Sequence, residues 1–394
     1  MDVQAFRVTA KQAIEKLMKY GEKEVLLIHH DDADGLCSAA IIKKALEREN
    51  FKVETLCLEK AYPQVLTEIH SKKGQIIFYA DIGSSHADTI SELNRGRNLT
   101  IILDHHDSKP ARDPEVLDLN LEKFGYKGEM DFSGATCCYL FAESLNENNS
   151  DLDYLALVGS YELPEGYKSI NKLILEEAIK RGHLRRKGNS FEIVKFNLSI
   201  SRLFSSLQIL GAVGYYDGGP DLGITVCLEG LTLEAEDKIK TWEEKRKQVN
   251  RKLLGRLYHE HLKETSYIQW FDAGDMYKGM GTKVIGQFCS FLSYQKHLVK
   301  PNKYIVGFVN VPSFIPKWGE LKGRFVKASV RVPQQMRPLI DQGLLPGAVN
   351  LIETASEGFG IADGHQYAAS VVLPADRKEE FIENADKFAK SFKE

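Results

Sequence analysis

The sequence predicts an α/β fold with an N-terminal parallel-sheet domain, a connector helix and a smaller C-terminal α/β domain. Three observations predict this fold. Between residues 24 and 103, short apolar runs alternate with segments that carry apolar residues at helical spacing. A long charged segment with helical spacing follows, and a second alternation of strand-like and helix-like segments comes after it.

The segments between residues 24 and 103 follow βαβα order. The expected strands are residues 24–28, 51–58, 75–80 and 99–103. The expected helices are residues 35–49, 62–71 and 85–94. Because the strands are apolar on both faces and are separated by helices, they predict a parallel sheet that helices cover on both sides.

The rest of the chain is expected to be mainly helical from residue 133 to 210, with a glycine-rich turn at 211–223. Charged residues 231–264 predict a connector helix between a domain at 1–230, with a helical second half, and a domain at 265–394. In this last domain, the expected strands are residues 267–271, 304–309 and 325–332, and the expected helices are residues 281–292, 346–357 and 374–393.

Composition narrows the class of protein. The chain has 394 residues, a formal net charge of -3 and 43% hydrophobic residues, which is enough apolar material for packed cores. The six cysteines form no CxxC pair, so neither a disulfide framework nor a zinc cluster is expected. Charges run through the N-terminus and no apolar run approaches the ~20 residues that span a bilayer, so a cytoplasmic protein without membrane contact is expected.

Acidic and imidazole side chains follow three of the expected strands. The first cluster runs from His29 to Gly35 (HHDDADG), the second begins at Asp81 (DIGSSH), and the third runs from Asp104 to Asp107 (DHHD). Because the carboxyl ends of parallel strands meet at one edge of a sheet, we expect these side chains to share one crevice.

Several carboxylates in one crevice repel one another and need a cationic partner. Oxygen and imidazole ligands without thiolates favour Mn²⁺ or Mg²⁺ over zinc. Two such ions about 3.5–4 Å apart bind a phosphate and activate a water, so the clusters together predict a phosphoester hydrolase. Each cluster alone has an ordinary alternative, and Asp34, which precedes Gly35, is placed to cap a helix.

The clusters resemble the motifs of the DHH phosphoesterase superfamily, which is named after the triplet found here as Asp104-His105-His106. The form of the first cluster is similar to the archaeal RecJ-like branch. Residues 364–369 (GHQYAA) resemble the signature of the associated DHHA1 domain. The resemblance spans nearly the whole chain and implies a DHH catalytic domain followed by a DHHA1-like substrate-binding domain.

The resemblance also implies roles for individual residues. The implied metal ligands are His30, Asp32, Asp34, Asp81 and His105. Asp81 is implied to bridge two ions. His106 is implied to lie near the scissile phosphate or the metal, with Asp104 orienting the histidine pair.

The fourth motif departs from the family pattern, because no Asp follows Gly159. Three alternatives stay open: Glu162 is a ligand with a longer reach, Asp153 takes the position, or one metal ion is weakly held. Glu162 is the candidate adopted for the metal site.

The C-terminal segment is expected to bind substrate phosphate. The candidates are Arg331, Gly364, His365 and Arg324. The alternative is a tight glycine turn that opens a buried helix, with Arg331 at the surface. The basic run at 180–187 is either a contact for a single strand or a solvated loop, and the tyrosines at 215–216 either stack on a base or pack within a turn.

These features predict a metal-dependent phosphodiesterase, foremost a single-strand-specific exonuclease on DNA or RNA with a place in DNA repair. A near-neutral charge favours the alternative, a phosphodiesterase or phosphatase for short oligoribonucleotides, 3′-phosphoadenosine 5′-phosphate or cyclic dinucleotides. A third hypothesis is a non-catalytic scaffold of a replication or repair complex. A helicase or another repair or replication protein is a further expected partner of an active nuclease.

Overall fold

The computed structural model describes residues 1–128 and 130–392 of the chain. They divide into two compact units, Met1–Ile239 and Lys240–Glu394. None of the described helices is long and apolar enough to cross a bilayer. The domain limits expected from the sequence, at 230 and 264, stay predictions.

A parallel sheet forms the centre of the first unit, in the order β2-β1-β3-β4-β5. Its strands are β1 (Glu24–His29), β2 (Lys52–Cys57), β3 (Ile76–Ala80), β4 (Leu99–Leu103) and β5 (Val116–Asp118). Strands β3 and β4 are buried along their whole length, as their apolar sequences require. The expected parallel sheet is confirmed, with β5 as a strand that the pattern did not predict.

Helices cover the sheet and fill the rest of the first unit. They are α1 (Val3–Lys19), α2 (Ala33–Arg48), α3 (Pro63–Ser71), α4 (Ala87–Asn94), α5 (Gly134–Leu145), α6 (Asp153–Gly159), α7 (Ser169–Lys180), α8 (Ile200–Gln208) and α9 (Gly219–Glu229). Helix α2 begins where the Asp32 side chain accepts a 2.9 Å hydrogen bond from the Gly35 N–H. The alternative in which Asp34 caps this helix is therefore wrong.

Two loops expected from the sequence have regular structure. The basic run ends α7 and enters a small sheet of β6 (Leu184–Lys187), β7 (Ser190–Ile193) and β8 (Leu198–Ser199). Glu192 pairs there with Arg185 and Lys187, so part of the positive charge is neutralised locally. In the glycine-rich segment, Ile209–Val213 form a π-helical turn and α9 starts at Gly219.

The second unit is built on a mixed sheet in the order β15-β16-β14-β11-β10-β9. Its strands are β9 (Lys263–Glu264), β10 (Ile268–Asp272), β11 (Tyr304–Val311), β14 (Phe325–Arg331), β15 (Ile361–Gly364) and β16 (Ala368–Pro374), and a separate ribbon pairs β12 (Phe314–Ile315) with β13 (Gly319–Glu320). Its helices are α10 (Leu233–Glu260), which begins in the first unit, α11 (Lys283–Leu292), α12 (Arg337–Asp341), α13 (Ala348–Ala355) and α14 (Lys378–Ser391).

Sheet and helices of the second unit enclose one apolar core, in which Phe308 of β11 packs edge-on against Phe381 of α14. Helix α10 gives the expected connector segment its helical structure, although residues 263–264 belong to β9. The smaller α/β region is confirmed. Strands β15 and β16 were missed, because the glycines and polar residues at 358–367 obscure the strand pattern.

Candidate metal centre

The register of the parallel sheet brings the three sequence clusters to one edge. His29 of β1 pairs with Ala80 of β3, and Ala80 pairs with Leu103 of β4. The next residue after each of these strand ends is an acid or a histidine: His30, Asp81 and Asp104. Side chains from distant parts of the sequence therefore start from adjacent positions on this edge.

Asp81 lies at the centre of the resulting cluster. His30 Nδ1 is 3.7 Å from Asp81 Oδ2 and 3.4 Å from Asp32 Oδ2. On the other side, His105 Nε2 is 3.2 Å from Asp81 Oδ1 and 3.7 Å from Asp34 Oδ2. The structure thus places the five residues that the family resemblance implied as ligands next to one another, and their role as ligands stays a prediction.

The ligand atoms form two groups, each with all its atoms within 4.8 Å of one another: Asp81, Asp104, His105 and His106, and His30, Asp32 and Asp81. Asp81 belongs to both groups. A carboxylate common to two groups is where a ligand shared by two ions is expected.

The backbone at Asp81 is held in an uncommon conformation. Its φ is 61°, in the left-handed region that non-glycine residues rarely adopt, and its N–H donates a 2.9 Å hydrogen bond to the Leu103 carbonyl. Such strain persists where the surroundings over-determine it, and it concentrates at functional sites. The turn after β3 therefore aims Asp81 into the cluster at a conformational cost.

The Asp34 carboxylate is held by the N-terminus of α5. Its oxygens accept hydrogen bonds from the Ser133 hydroxyl at 3.0 Å, the Gly134 N–H at 2.9 Å and the Ala135 N–H at 2.8 Å. The first N–H groups of a helix have no partner within the helix and favour a negative charge. Asp34 therefore fixes α5 against the cluster while one of its oxygens faces His105.

Two glycines make room for the acids, and sequence reasoning gave neither a role in the site. A Cβ on Gly134 would lie closer than 3.0 Å to the Asp81 carboxylate, and one on Gly159 would lie equally close to the Asp34 carboxylate. Their signal in the sequence is weak, since a glycine at a helix end is common for other reasons. Their position against the acids is visible only in the fold.

The cluster contains more negative charge than its protein surroundings neutralise. Burial and the neighbouring Asp34 and Asp32 raise the pKa of Asp81 well above its usual value. Burial also raises the pKa of Asp34, although His105 opposes the shift. Asp81 Oδ1 is buried and accepts no hydrogen bond from the described residues.

These observations fit a divalent cation. The converging donors are carboxylate oxygens and imidazole nitrogens, the set that suits Mn²⁺ or Mg²⁺, and the expectation of such a site is consistent with this geometry. A cation bound there would favour the ionised acids that burial otherwise disfavours.

Asp104 and His106 form a hydrogen-bonded pair beside the cluster. His106 Nδ1 is 2.7 Å from Asp104 Oδ1, and the Ser84 N–H donates to Asp104 Oδ2 at 2.9 Å. Burial would lower the pKa of His106, but the charge and hydrogen bond of Asp104, together with the charge of Asp81, outweigh burial and raise the pKa to about 9. Burial would raise the pKa of Asp104, but His106 and His105 lower it below its usual value.

The acids proposed for the fourth motif belong to neither of these two groups. Glu162 is exposed on a short 3-10 turn and belongs to neither group of ligand atoms. Asp153 is buried at the start of α6, where His183 Nδ1 is 2.8 Å from its carboxylate and Arg181 is 3.6 Å away. Asp153 is thus occupied by an ion pair, and the role of Glu162 as a ligand stays a prediction.

The residues expected to bind substrate lie on the second unit, at two ends of its sheet. Arg331 pairs in register with Ala368 and Gly364 pairs with Ala369, so Arg331, Gly364 and His365 share one end. Arg324 precedes the other end of β14, roughly 20 Å along the strand, and is exposed. The structure does not bring Arg324 to the same place.

Arg331 and Gly364 also have local structural roles. Arg331 Nε donates to the Ser290 hydroxyl at 2.8 Å, and its Nη1 donates to its neighbour's carbonyl at 2.9 Å. Gly364 has φ 136°, and a Cβ there would lie closer than 3.0 Å to Ala369. The segment is therefore a hairpin between two strands, and the alternative of a glycine turn that opens a buried helix is wrong.

The fold and the cluster together define an α/β protein with a divalent-metal site at the edge of a parallel sheet. The DHH family, N-terminal domain, matches residues 24–160, the segment that carries this site. A second match, to the C-terminal domain of the small subunit of 3-isopropylmalate dehydratase, covers residues 230–256, most of which lie in α10. Because α10 alone is not a folding unit, this second match carries no functional argument.

Solved structures share the fold of the chain. RecJ from Thermus thermophilus in complex with Mn²⁺ has a TM-score of 0.66 and 16% identity, over 99% of this chain and 55% of that one. The chain thus spans about half the length of that protein. Exonuclease RecJ bound to manganese has a TM-score of 0.62 and 16% identity over 99% and 95% of the two chains. CDC45 from Entamoeba histolytica has a TM-score of 0.55 and 10% identity over 98% and 99%.

A sequence relative of similar length is an uncharacterized protein of Methanocaldococcus jannaschii, 23% identical over 95% of this chain and 96% of the relative. The DHH match and the RecJ-like fold agree with the resemblance found in the motifs. Residues 24–160 thus match the DHH family, and the chain has a RecJ-like fold.

Proposed function

We propose that the protein is a metal-dependent phosphodiesterase, foremost a single-strand-specific exonuclease on DNA or RNA. The observation that carries the proposal is Asp81, a buried acid of raised pKa that is shared by two groups of ligand atoms. The RecJ structures with manganese support Mn²⁺ as the cofactor, with Mg²⁺ as the other candidate.

His30, Asp32, Asp34, Asp81 and His105 are the proposed ligands, and Glu162 is kept as a candidate ligand from the exposed turn. A divalent ion in this centre supplies an activated water and neutralises charge on the phosphate that is attacked. Asp104 holds His106 in one orientation through the 2.7 Å contact to Nδ1, beside the proposed ligands.

For the substrate, we propose contacts from Arg331 with Gly364 and His365 at the end of the second unit's sheet. The guanidinium of Arg331 forms no ion pair with a described acid, and burial lowers its pKa. An anionic phosphate would offset this burial. Arg324 is kept as a substrate contact distant from that end.

Net charge favours a second candidate, a phosphodiesterase or phosphatase for small substrates. The value of -3 offers little general attraction to a long polyanion. The same ligands would serve dinucleotides, 3′-phosphoadenosine 5′-phosphate or cyclic dinucleotides. A third candidate, a scaffold in a replication complex, has support from the CDC45-like fold and the altered fourth motif.

The test compares the wild-type protein with Asp81→Asn on end-labelled single-stranded DNA and RNA of about 20 nucleotides and on dinucleotides. We expect hydrolysis with Mn²⁺, none in chelator, and none with Asp81→Asn. The matched control is Asp113→Asn. Asp113 is also a buried acid and accepts hydrogen bonds from backbone N–H groups, but it precedes β5 and so lies at the edge of the sheet opposite to the cluster. Activity in chelator contradicts the mechanism, and preference for dinucleotides selects the second candidate.

Absence of hydrolysis by the wild-type protein with Mn²⁺ bound would instead favour the scaffold hypothesis. A pull-down with a helicase or another replication protein would then test the partner proposed for it.

A further inference from the structure

Asp31 is a buried acid that is neither a proposed metal ligand nor a proposed substrate contact. It stands between two proposed ligands in the sequence, its relative exposure is 0%, and neither carboxylate oxygen accepts a hydrogen bond from the described part of the chain. A buried carboxylate without hydrogen bonds is costly, because it has lost its hydration without replacement. Its presence therefore points to a compensating contact.

The contact is the ring of His30. Asp31 Oδ1 is 3.3 Å from His30 Nε2, whereas Nδ1 of the same ring faces Asp32 and Asp81 at 3.4 and 3.7 Å. The two nitrogens of one imidazole therefore face different acids. Nε2 faces Asp31, and Nδ1 faces the cluster.

The backbone around Asp31 holds this arrangement in place. A Cβ on Gly211 would lie closer than 3.0 Å to the Asp31 carbonyl oxygen, so the π-helical turn packs directly on the Asp31 backbone. On the other side, the Leu58 N–H donates a 2.9 Å hydrogen bond to the His29 carbonyl and extends the pairing of β1 with β2. The backbone from His29 to Asp31 is thus held between two elements.

We propose that Asp31 is a positioning residue: when a divalent cation is bound, its carboxylate accepts the Nε2 proton of His30, a hydrogen bond that the 3.3 Å contact does not yet form, so that the unprotonated Nδ1 faces the cation. A neutral imidazole carries one proton, so the group that takes Nε2–H decides which nitrogen is left to bind a metal. Carboxylates behind metal-binding histidines orient the ring in this way and increase its basicity. The inference rests on the proposed function only in taking the centre to bind Mn²⁺.

Asp31 differs in this from the neighbouring pair of Asp104 and His106. Asp104 also accepts hydrogen bonds from the backbone N–H groups of Ser84 and His105, so its carboxylate is held without the histidine ring. Asp31 has no such backbone donors among the described residues. Removal of Asp31 should therefore act on the centre through His30.

The first test measures the dissociation constant for Mn²⁺ in the full chain by calorimetry, without substrate. We expect Asp31→Ala to weaken binding about 10- to 100-fold, as for other residues behind a metal ligand. Asp31→Asn should lose less, because its amide oxygen still accepts the Nε2 proton. Asp113→Asn is the control and should bind as the wild type does. Wild-type affinity in Asp31→Ala overturns the proposal.

A second test asks whether the effect passes through His30. In a His30→Gln background, Asp31→Ala should cause no further loss of Mn²⁺ affinity, because its target is gone. An equal loss in both backgrounds overturns the proposal, since Asp31 would then act on the cation or the fold directly.

The third test reads the ring itself. In protein with ¹⁵N-labelled histidine, the signal lost in His30→Gln should show a protonated Nε2 and an unprotonated Nδ1, and Asp31→Ala should change this signal without altering the other histidines. If Asp31→Ala does not fold, Asp31→Asn takes its place, and unchanged affinity together with an unchanged His30 signal overturns the proposal.

These tests separate the two proposals. Tight Mn²⁺ binding that depends on Asp31, without any hydrolysis, contradicts the proposed function and leaves this inference standing. Normal hydrolysis by the wild type, together with wild-type Mn²⁺ affinity in Asp31→Ala, supports the proposed function and contradicts the inference about Asp31.

Discussion

The metal centre of the first unit and the hairpin end of the second unit both contain motif residues, but the two regions differ in how those residues are satisfied. In the metal centre, acids from separate strand ends meet, and Asp81 is buried with a raised pKa and an oxygen that accepts no hydrogen bond from the residues described. At the hairpin end, Gly364 is required by strand pairing and Arg331 is bonded to Ser290.

This difference shows which motif residues call for a ligand. Buried like charges raise the free energy of the fold unless a cation compensates them, so the centre is incomplete without one. A glycine that a hairpin needs for its own geometry has a sufficient structural reason. The buried acids of the first region therefore favour a bound cation, whereas a phosphate contact at the hairpin depends on Arg331.

The largest effect is expected from replacing Asp81, the acid shared by the two groups of ligand atoms. Asp81→Asn should weaken Mn²⁺ binding by more than about 100-fold, the upper end of the loss when a partner behind a ligand is removed. The same variant should melt at a higher temperature than the wild type in chelator, because a buried repulsion is gone. Calorimetry and thermal melts measure both, and unchanged Mn²⁺ affinity would remove Asp81 from the centre.

The next effect tests the space around that acid. Gly134→Ala places a Cβ against the Asp81 carboxylate and should cost about 1–3 kcal/mol of stability, as overpacking does. It should also weaken Mn²⁺ binding. Gly255→Ala is a matched control, since a Cβ there meets nothing within 4 Å. Denaturant unfolding of both variants checks this, and equal stability would contradict the packing described.

The third prediction concerns the hairpin end of the second unit and compares Arg331 with Arg324. Arg331→Ala should raise KM for an oligonucleotide about 10- to 100-fold, since a charge-assisted hydrogen bond to phosphate contributes about 1.5–3 kcal/mol. Arg324→Ala, at the far end of β14, should change KM less. Steady-state kinetics on one substrate decide this. An equal KM for Arg331→Ala and wild type would leave the hairpin end a structural element only.

The smallest effect concerns the pair of Asp104 and His106 in metal-free protein. Because the pKa of His106 is raised from 6.5 to about 9, its contribution to stability is complete below pH 6.5 and is lost as the pH rises through about 9. The difference between these two pKa values sets an upper limit of about 3 kcal/mol for the loss. Urea unfolding in chelator across this range should show it for the wild type and not for His106→Gln. A wild-type stability that is flat from pH 6.5 to 9 would contradict the charged pair.

The sequence alone determined the class of fold and the edge of the sheet where chemistry gathers. Apolar runs bounded by helical segments specify buried parallel strands, and parallel strands bring their carboxyl ends together. The motif residues His30, Asp32, Asp34, Asp81 and His105 could therefore be named in advance as neighbours. Periodicity also located α10, because a long amphipathic pattern is a strong local signal.

Tertiary structure alone decided which neighbours each of these residues has. Asp34 bonds to the N-terminus of α5, and Gly134 and Gly159 pack against the acids of the cluster. Asp153 contacts His183, and Asp31 contacts the ring of His30. The tertiary structure also made a hairpin of residues 361–374 and parted Arg324 from Arg331. These contacts join residues far apart in the chain or depend on the direction of one side chain, and local sequence patterns carry no information about either.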